Sequence, residues 1–161
     1  KAKIMDTRKT IPGLRELEKY AVRIGGGYNH RFRLDEMVLV KDNHLKVMGD
    51  RLWVIGLKKI KNKISSKLKV EIEVKNLREF KEALKAEPDI IMLDNMKIAD
   101  MKKAVEIKRN TPYAIRHTLI EASGGITLKN LEKVASTGVD MISVGDLTHS
   151  VNSINISLEI I

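Results

Sequence analysis

Lys-Val-Glu-Ile-Glu-Val (69–74) and Ile-Ile-Met-Leu-Asp-Asn (90–95) flank a segment whose apolar residues are Leu77, Phe80, Ala83 and Leu84. The first run alternates at period two, so Glu71 and Glu73 belong to the same face of a strand. The middle segment has the three-and-four spacing of a helix with one buried side. The second run is apolar until it stops at an acid and an amide. Strand, helix and strand in this order predict a βα unit of a parallel sheet.

The same scheme extends in both directions. Strands are expected at Ala2–Met5, Met37–Val40, Ala114–Ile120 and Val139–Val144. A helix with Leu14, Leu17, Ala21 and Ile24 on one face is entered at Pro12 and closed at Gly25. Further helices are marked by Leu52, Ile55, Ile60 and Ile64, by Ile98, Met101, Ala104 and Val105, and by Leu128, Leu131, Val134 and Ala135 before Gly138. That is roughly one βα unit per 27 residues, a spacing found in barrels and doubly wound sheets.

The ends of the strands separate those two folds. Nearly every one stops in a charged or glycine-bearing turn: Asp6–Lys9, Lys41–His44, Asp94-Asn95, Glu121–Gly125 and Gly145–His149. A barrel opens all its strand ends on one functional face, whereas a doubly wound sheet uses only the crevice at its switch point. The expectation is an α/β fold, an incomplete (β/α) TIM-like barrel of about six or seven parallel strands, forming a single domain over residues 1–161. The chain enters a strand almost at Lys1, so residues upstream are expected in the complete protein.

Composition bounds the chemistry. The 161 residues are 43% hydrophobic, enough for one sizeable core. With no cysteine, disulfides, thiolate metal sites and cysteine nucleophiles are excluded. No apolar run approaches the roughly 20 residues that span a bilayer, and a cytoplasmic protein without membrane contact is expected. The net charge of +9 admits nucleic acid or phosphorylated metabolites as partners. Lys58–Lys63 reads as a solvated helical face, and aromatic residues do not interleave with the lysines as a single-strand platform needs. Nucleic acid is therefore not expected.

Three groups of residues carry candidate chemistry. Arg8 and Lys9 leave the first strand, and His30 and Arg31 arrive after the helix and the Gly25–Gly27 turn. Positive charge converging from both sides suits a ligand with more than one acidic group. Glu73 and Asp94 stand near the ends of successive strands, roughly 5 Å apart in strand spacing, where they suit Mg²⁺ or a cationic sugar-like transition state. Ser123-Gly124-Gly125 and Gly145 follow the last two strands, where barrel phosphate sites often lie. His30, His44, His117 and His149 lack a zinc-ligand spacing.

Asp6-Thr7-Arg8-Lys9-Thr10-Ile11-Pro12-Gly13-Leu14-Arg15, Gly25–Arg31, Lys41–His44, Val70–Val74, Met92–Met96, Glu121–Ile126 and Val144–Ser150 together resemble the quinolinate phosphoribosyltransferases. The resemblance runs in order along the whole chain. It implies transfer of phosphoribose from phosphoribosyl pyrophosphate to quinolinate, with Mg²⁺ and decarboxylation. It places Arg8, Lys9, His30 and Arg31 on quinolinate. Lys41, Glu73 and Asp94 are placed at the reacting centre, with Glu73 and Asp94 facing ribose hydroxyls and metal, directly or through water. Ser123, Gly124 and Gly145 join the phosphoribosyl pyrophosphate site. It further implies an N-terminal domain beyond this chain and a homodimer with composite sites, with a hexamer left open. Asp146 stands where a small residue is common and is expected to point away. A molybdenum-uptake-associated paralogue shares some of these segments, though Lys41–His44 and Asp94-Asn95 favour the quinolinate enzyme. A basic nucleic-acid-binding module remains the remote alternative.

Overall fold

The computed structural model describes residues 1–41, 43–44, 55–56, 59–60, 63–111 and 117–160. Its strands are β1 (Lys3–Met5), β2 (Met37–Val40), β3 (Lys69–Val74), β4 (Ile90–Asp94), β5 (Leu119–Ser123) and β6 (Met141–Ser143). Its helices are α1 (Arg15–Ile24), α2 (Leu77–Lys85), α3 (Ile98–Arg109), α4 (Leu131–Ala135) and α5 (Asp146–His149). The strands form one parallel sheet in the order β1-β6-β5-β4-β3-β2.

Register assigns the two faces. Glu73 lies opposite Met92, Met92 opposite Glu121, and Glu121 opposite Met141, so these residues share one face. Val70, Ile72 and Val74 take the other and join Phe80, Ala83 and Leu84 of α2 in the main core. Asn76 starts α2 by accepting the Glu79 amide at 3.0 Å, satisfying a donor the helix itself leaves open.

The open parallel sheet has the strand order of an incomplete barrel, and one short segment links its two edges. Tyr28 makes a parallel bridge to Met5, its amide donating to Ile4 O at 2.8 Å. The Arg31 guanidinium donates to Met37 O at 2.9 Å, at the start of β2. β1 and β2 are opposite edges of the sheet, about 24 Å apart if it were flat. Tyr28–Arg31 links the two edges and lies along the seam between them. Met5, Met37, Ile90 and Met141 pack with Leu119 as a second apolar cluster across the inner face. Four of these five are the first residues of their strands or pair with such residues, so the cluster plugs the lower end. The inner face is left to open at the strands' C-terminal ends.

Two expectations change. The fifth strand spans Leu119–Ser123, later than Ala114–Ile120, and Glu121 is inside it instead of in the turn beyond. Residues 114–116 lie outside the described residues, as does Leu52 of the lysine-rich helix. Helix α1 forms where expected, but Leu14, Leu17 and Ile24 are 42%, 66% and 71% exposed. What the helix buries is Glu18, Lys19 and Val22. Lys19 is drawn to Asp6 at 2.6 Å, and the Glu18 carboxylate accepts the Ile11 amide at 3.3 Å. Paired charge, not the apolar stripe, sets the rotation of this helix. No helix is long and apolar enough to cross a membrane among the described residues.

Replacing Lys19 with methionine leaves the buried Asp6 carboxylate without its counter-charge. A loss of about 3–5 kcal/mol is expected, measured as unfolding free energy in urea titrations of the full-length protein.

Candidate active site

Asp6, at the end of β1, is fully buried and organises both cationic segments. Its Oδ1 accepts from Lys19 Nζ at 2.6 Å and from the His30 amide at 2.8 Å. Lys19 Nζ also donates to His30 O at 3.0 Å. With its amide nitrogen turned inward, Asn29 donates to Asp6 Oδ2 and Lys19 O, each at 2.9 Å. One carboxylate and one ammonium thus fasten the His30-Arg31 segment beside the β1 end that carries Arg8 and Lys9.

Arg8, Lys9, His30, Arg31, Lys41, Glu73, Asp94 and Ser123 line one cavity of about 340 Å³. Leu39 and Met92 supply apolar wall, and Glu121 and Ser143 reach it from β5 and β6. Cations from the β1 end and the seam face carboxylates from β3 and β4. Arg8 Nε is buried with no hydrogen-bond partner among the described residues. The Arg31 guanidinium has its pKa lowered, first by burial and then by the neighbouring Arg8 charge. Two half-buried guanidiniums disfavouring one another, one with an unspent donor, make a site for an anion.

On the carboxylate side, Asp94 Oδ1 accepts from Asn95 Nδ2 at 2.9 Å. Glu73 and Asp94 project from neighbouring strands onto the inner face, since Glu73 is opposite Met92 and Asp94 lies two residues beyond it. As hard oxygen donors on one wall they fit Mg²⁺.

Beneath lies a group the sequence did not single out. His30 Nε2 is 3.2 Å from Glu71 Oε2 and 3.4 Å from Glu121 Oε2, with both glutamates fully buried. Ser143 Oγ donates to Glu121 Oε1 at 2.6 Å. The three possible ligand atoms all lie within 4.8 Å of one another. Burial opposes charge on the imidazole, but the Glu121 and then the Glu71 carboxylates outweigh it and raise its pKa from 6.5 to about 10. Burial above all, with Glu121 adding to it, raises Glu71 from 4.5 to about 7 despite the His30 contact. The Arg31 amide lies 2.9 Å from His30 Nδ1. Alternation made Glu71 visible beside Glu73. Glu121 was misplaced with its strand, and nothing local signals that β3 and β5 converge on His30.

The glycine turns look different from the rest. Gly124 and Gly145 do not line the cavity. Gly124 has φ +91°, and a Cβ there would overlap the Asn95 amide, itself held at φ +52°. A Cβ on Gly145 would overlap the His149 ring. Both glycines make room for a neighbouring side chain. Asp146 is exposed and apart from the cavity, as expected.

Residues 1–159 match the family described as quinolinate phosphoribosyl transferase, C-terminal domain. The chain belongs to this family. It is 46% identical to a probable carboxylating nicotinate-nucleotide pyrophosphorylase of Methanocaldococcus jannaschii, over 96% of the chain and 54% of that protein. It is 42% identical to the carboxylating nicotinate-nucleotide pyrophosphorylase of Mycobacterium leprae, over 99% of the chain and 54% of that protein. The structure of the Francisella tularensis nicotinate-nucleotide pyrophosphorylase superposes with a TM-score of 0.81 at 43% identity, covering 92% of this chain and 50% of that one. The chain thus spans about half the length of the curated relatives it matches. These relatives favour the transferase over both the molybdenum-associated paralogue and the nucleic-acid-binding module. Within this quinolinate phosphoribosyl transferase domain, six of the seven segments that suggested the family contribute residues to the cavity, and Val144–Ser150 does not.

Two outcomes follow from the geometry. Gly124→Ala forces a side chain into left-handed backbone and onto Asn95, an expected loss of roughly 1–3 kcal/mol in chemical unfolding. The buried cluster also sets a pH dependence. Both raised pKa values mean that the folded state binds more protons than the unfolded one. The Glu71 contribution is complete below 4.5 and falls away as pH rises through about 7, and that of His30 is complete below 6.5 and falls away through about 10. Unfolding free energy should decline from pH 5 to pH 10, and Glu71→Gln should flatten the acid half of that decline.

Proposed function

We propose that the complete protein transfers phosphoribose from phosphoribosyl pyrophosphate to quinolinate, giving nicotinate mononucleotide, pyrophosphate and carbon dioxide in NAD biosynthesis. The observation that carries this reading is the cavity's division: a pair of guanidiniums with an unspent donor on one side, a wall of carboxylates on the other. Family membership and the names of the relatives support it further.

Arg8, Lys9, His30 and Arg31 hold the two carboxylates of the pyridine and turn its ring nitrogen toward the β3 and β4 ends. The nitrogen attacks the anomeric ribose carbon as the bond to pyrophosphate breaks, and positive charge develops on the sugar. Asp94 and Glu73 meet the ribose hydroxyls and oppose that charge, which stabilises the transition state more than the ground state. Lys41 is placed to balance the departing diphosphate. Mg²⁺ arriving with the diphosphate and held at Glu73 and Asp94 would neutralise its oxygens. The phosphate of the sugar is assigned to the turns at Ser123, Gly124 and Gly145, next to the side chains of Asn95 and His149. Loss of the carboxylate beside the new nitrogen bond leaves an electron pair on carbon, which takes a proton to complete the pyridinium product.

A homodimer with composite sites is part of the proposal. The chain spans about half of its relatives' length.

The test is product formation by the full-length protein with Mg²⁺ and phosphoribosyl pyrophosphate. Quinolinate should give nicotinate mononucleotide, and nicotinate should give none. Asp94→Asn is expected to lower kcat on the order of 100-fold with a small change in KM for quinolinate. No product from quinolinate would sink the assignment.

A further inference from the structure

Deepening that proposed function and resting on it, we infer that Arg15 and Thr148 are positioning residues of the pyridine pocket. From outside the cavity they hold the loop that carries Arg8 and Lys9 by its carbonyl oxygens. That loop leaves β1 without a ladder to follow: residues 8–10 make no backbone-to-backbone hydrogen bond among the described residues. Within the loop, the Lys9 amide donates to Thr7 Oγ1 at 3.1 Å. Side chains from α1 and α5 supply the rest. Arg15 Nη2 donates to Arg8 O at 3.3 Å, and its Nε donates to Thr10 Oγ1 at 3.1 Å. Thr148, fully buried on α5, donates from Oγ1 to Lys9 O at 2.6 Å. A hydroxyl has one proton to give. Its other acceptor, Gly145 O, is farther away at 3.2 Å and already receives the Thr148 and His149 amides. The proton goes to Lys9 O.

Arg8 and Lys9 line the cavity, whereas Arg15 and Thr148 do not. The Arg8 and Lys9 carbonyls are thus committed to donors outside it. For an anion this matters, because a carbonyl oxygen turned toward it would repel it, and a carbonyl out of water needs a donor somewhere. Satisfied from behind, the loop offers its cations to the ligand and keeps the negative ends of its peptide dipoles away. Arg15 also reaches the seam, where Nη1 lies 3.5 Å from Phe32 O. That contact is long and adds little. The seam is fixed already by Asp6 and Lys19, so the hold of Arg15 is on the loop. The competing reading makes both residues fasteners that stabilise the fold and leave ligand affinity alone.

The experiment uses steady-state kinetics of the full-length protein with Mg²⁺, each substrate varied in turn, and far-UV circular dichroism to check folding. Thr148→Val keeps the volume and removes the hydroxyl. It should raise KM for quinolinate about tenfold or more, as displaced binding groups do, with kcat and KM for phosphoribosyl pyrophosphate changed by less than about threefold. Thr148→Ser restores the hydroxyl and should return KM for quinolinate to within about threefold of the unsubstituted protein. Arg15→Met should repeat the Thr148→Val pattern. If Thr148→Val does not fold, Arg15→Met decides by the same split between substrates. A folded variant whose KM for quinolinate is unchanged overturns the inference, and so does a rise shared equally by both KM values. Failure of Thr148→Ser to rescue overturns it too. No product from quinolinate with the unsubstituted protein overturns the proposed function and this inference together; product without the split overturns this inference alone.

Discussion

The buried ion pair between Asp6 and Lys19 is the contact on which the site depends. At 2.6 Å and out of solvent, it carries a desolvation cost that attraction across so short a gap offsets only with further hydrogen bonds. Those come from the His30 amide and Asn29, and Lys19 binds His30 O in turn. Satisfying the pair therefore fixes a strand end, one helix and the seam of the barrel relative to one another. It also explains why α1 turns an apolar stripe outward: the helix is rotated by its lysine.

That frame allows charges of opposite sign to share a cavity of about 340 Å³ without collapsing onto one another. Arg31 is tied to Met37 O, and Asp94 accepts from Asn95, so each wall is held by its own neighbours. A site prepared in this way suits the proposed reaction, in which an anionic pyridine meets a sugar that develops positive charge. Little reorganisation is left for the reaction itself, and such preorganisation is a major source of rate enhancement.

Much of this was legible in the chain because its signals are local. Period two in Lys69–Val74 and helical spacing in Leu77–Leu84 produced elements where expected. Polar residues at strand ends meant that Lys41, Glu73, Asp94 and Ser123 would meet at one mouth of a parallel barrel, and they line one cavity. The fifth strand was misread because Glu121 looked like a turn residue. A charged side chain inside a strand is sustainable only where a partner from elsewhere in the fold reaches it, and here Ser143 and His30 do. The same long-range origin hid the role of Glu71 and the exposure of Leu17.

By itself the sequence determined the strand and helix order, the polar strand ends and the family. These follow from spacing and residue type, which act over a few residues along the backbone. Tertiary structure alone decided which charges lie side by side: Asp6 with Lys19, and Glu71 with Glu121 about His30. The fold brings strands β3 and β5 to a residue in the seam, and electrostatic energy in a buried site depends on those distances through space, not on separation along the chain.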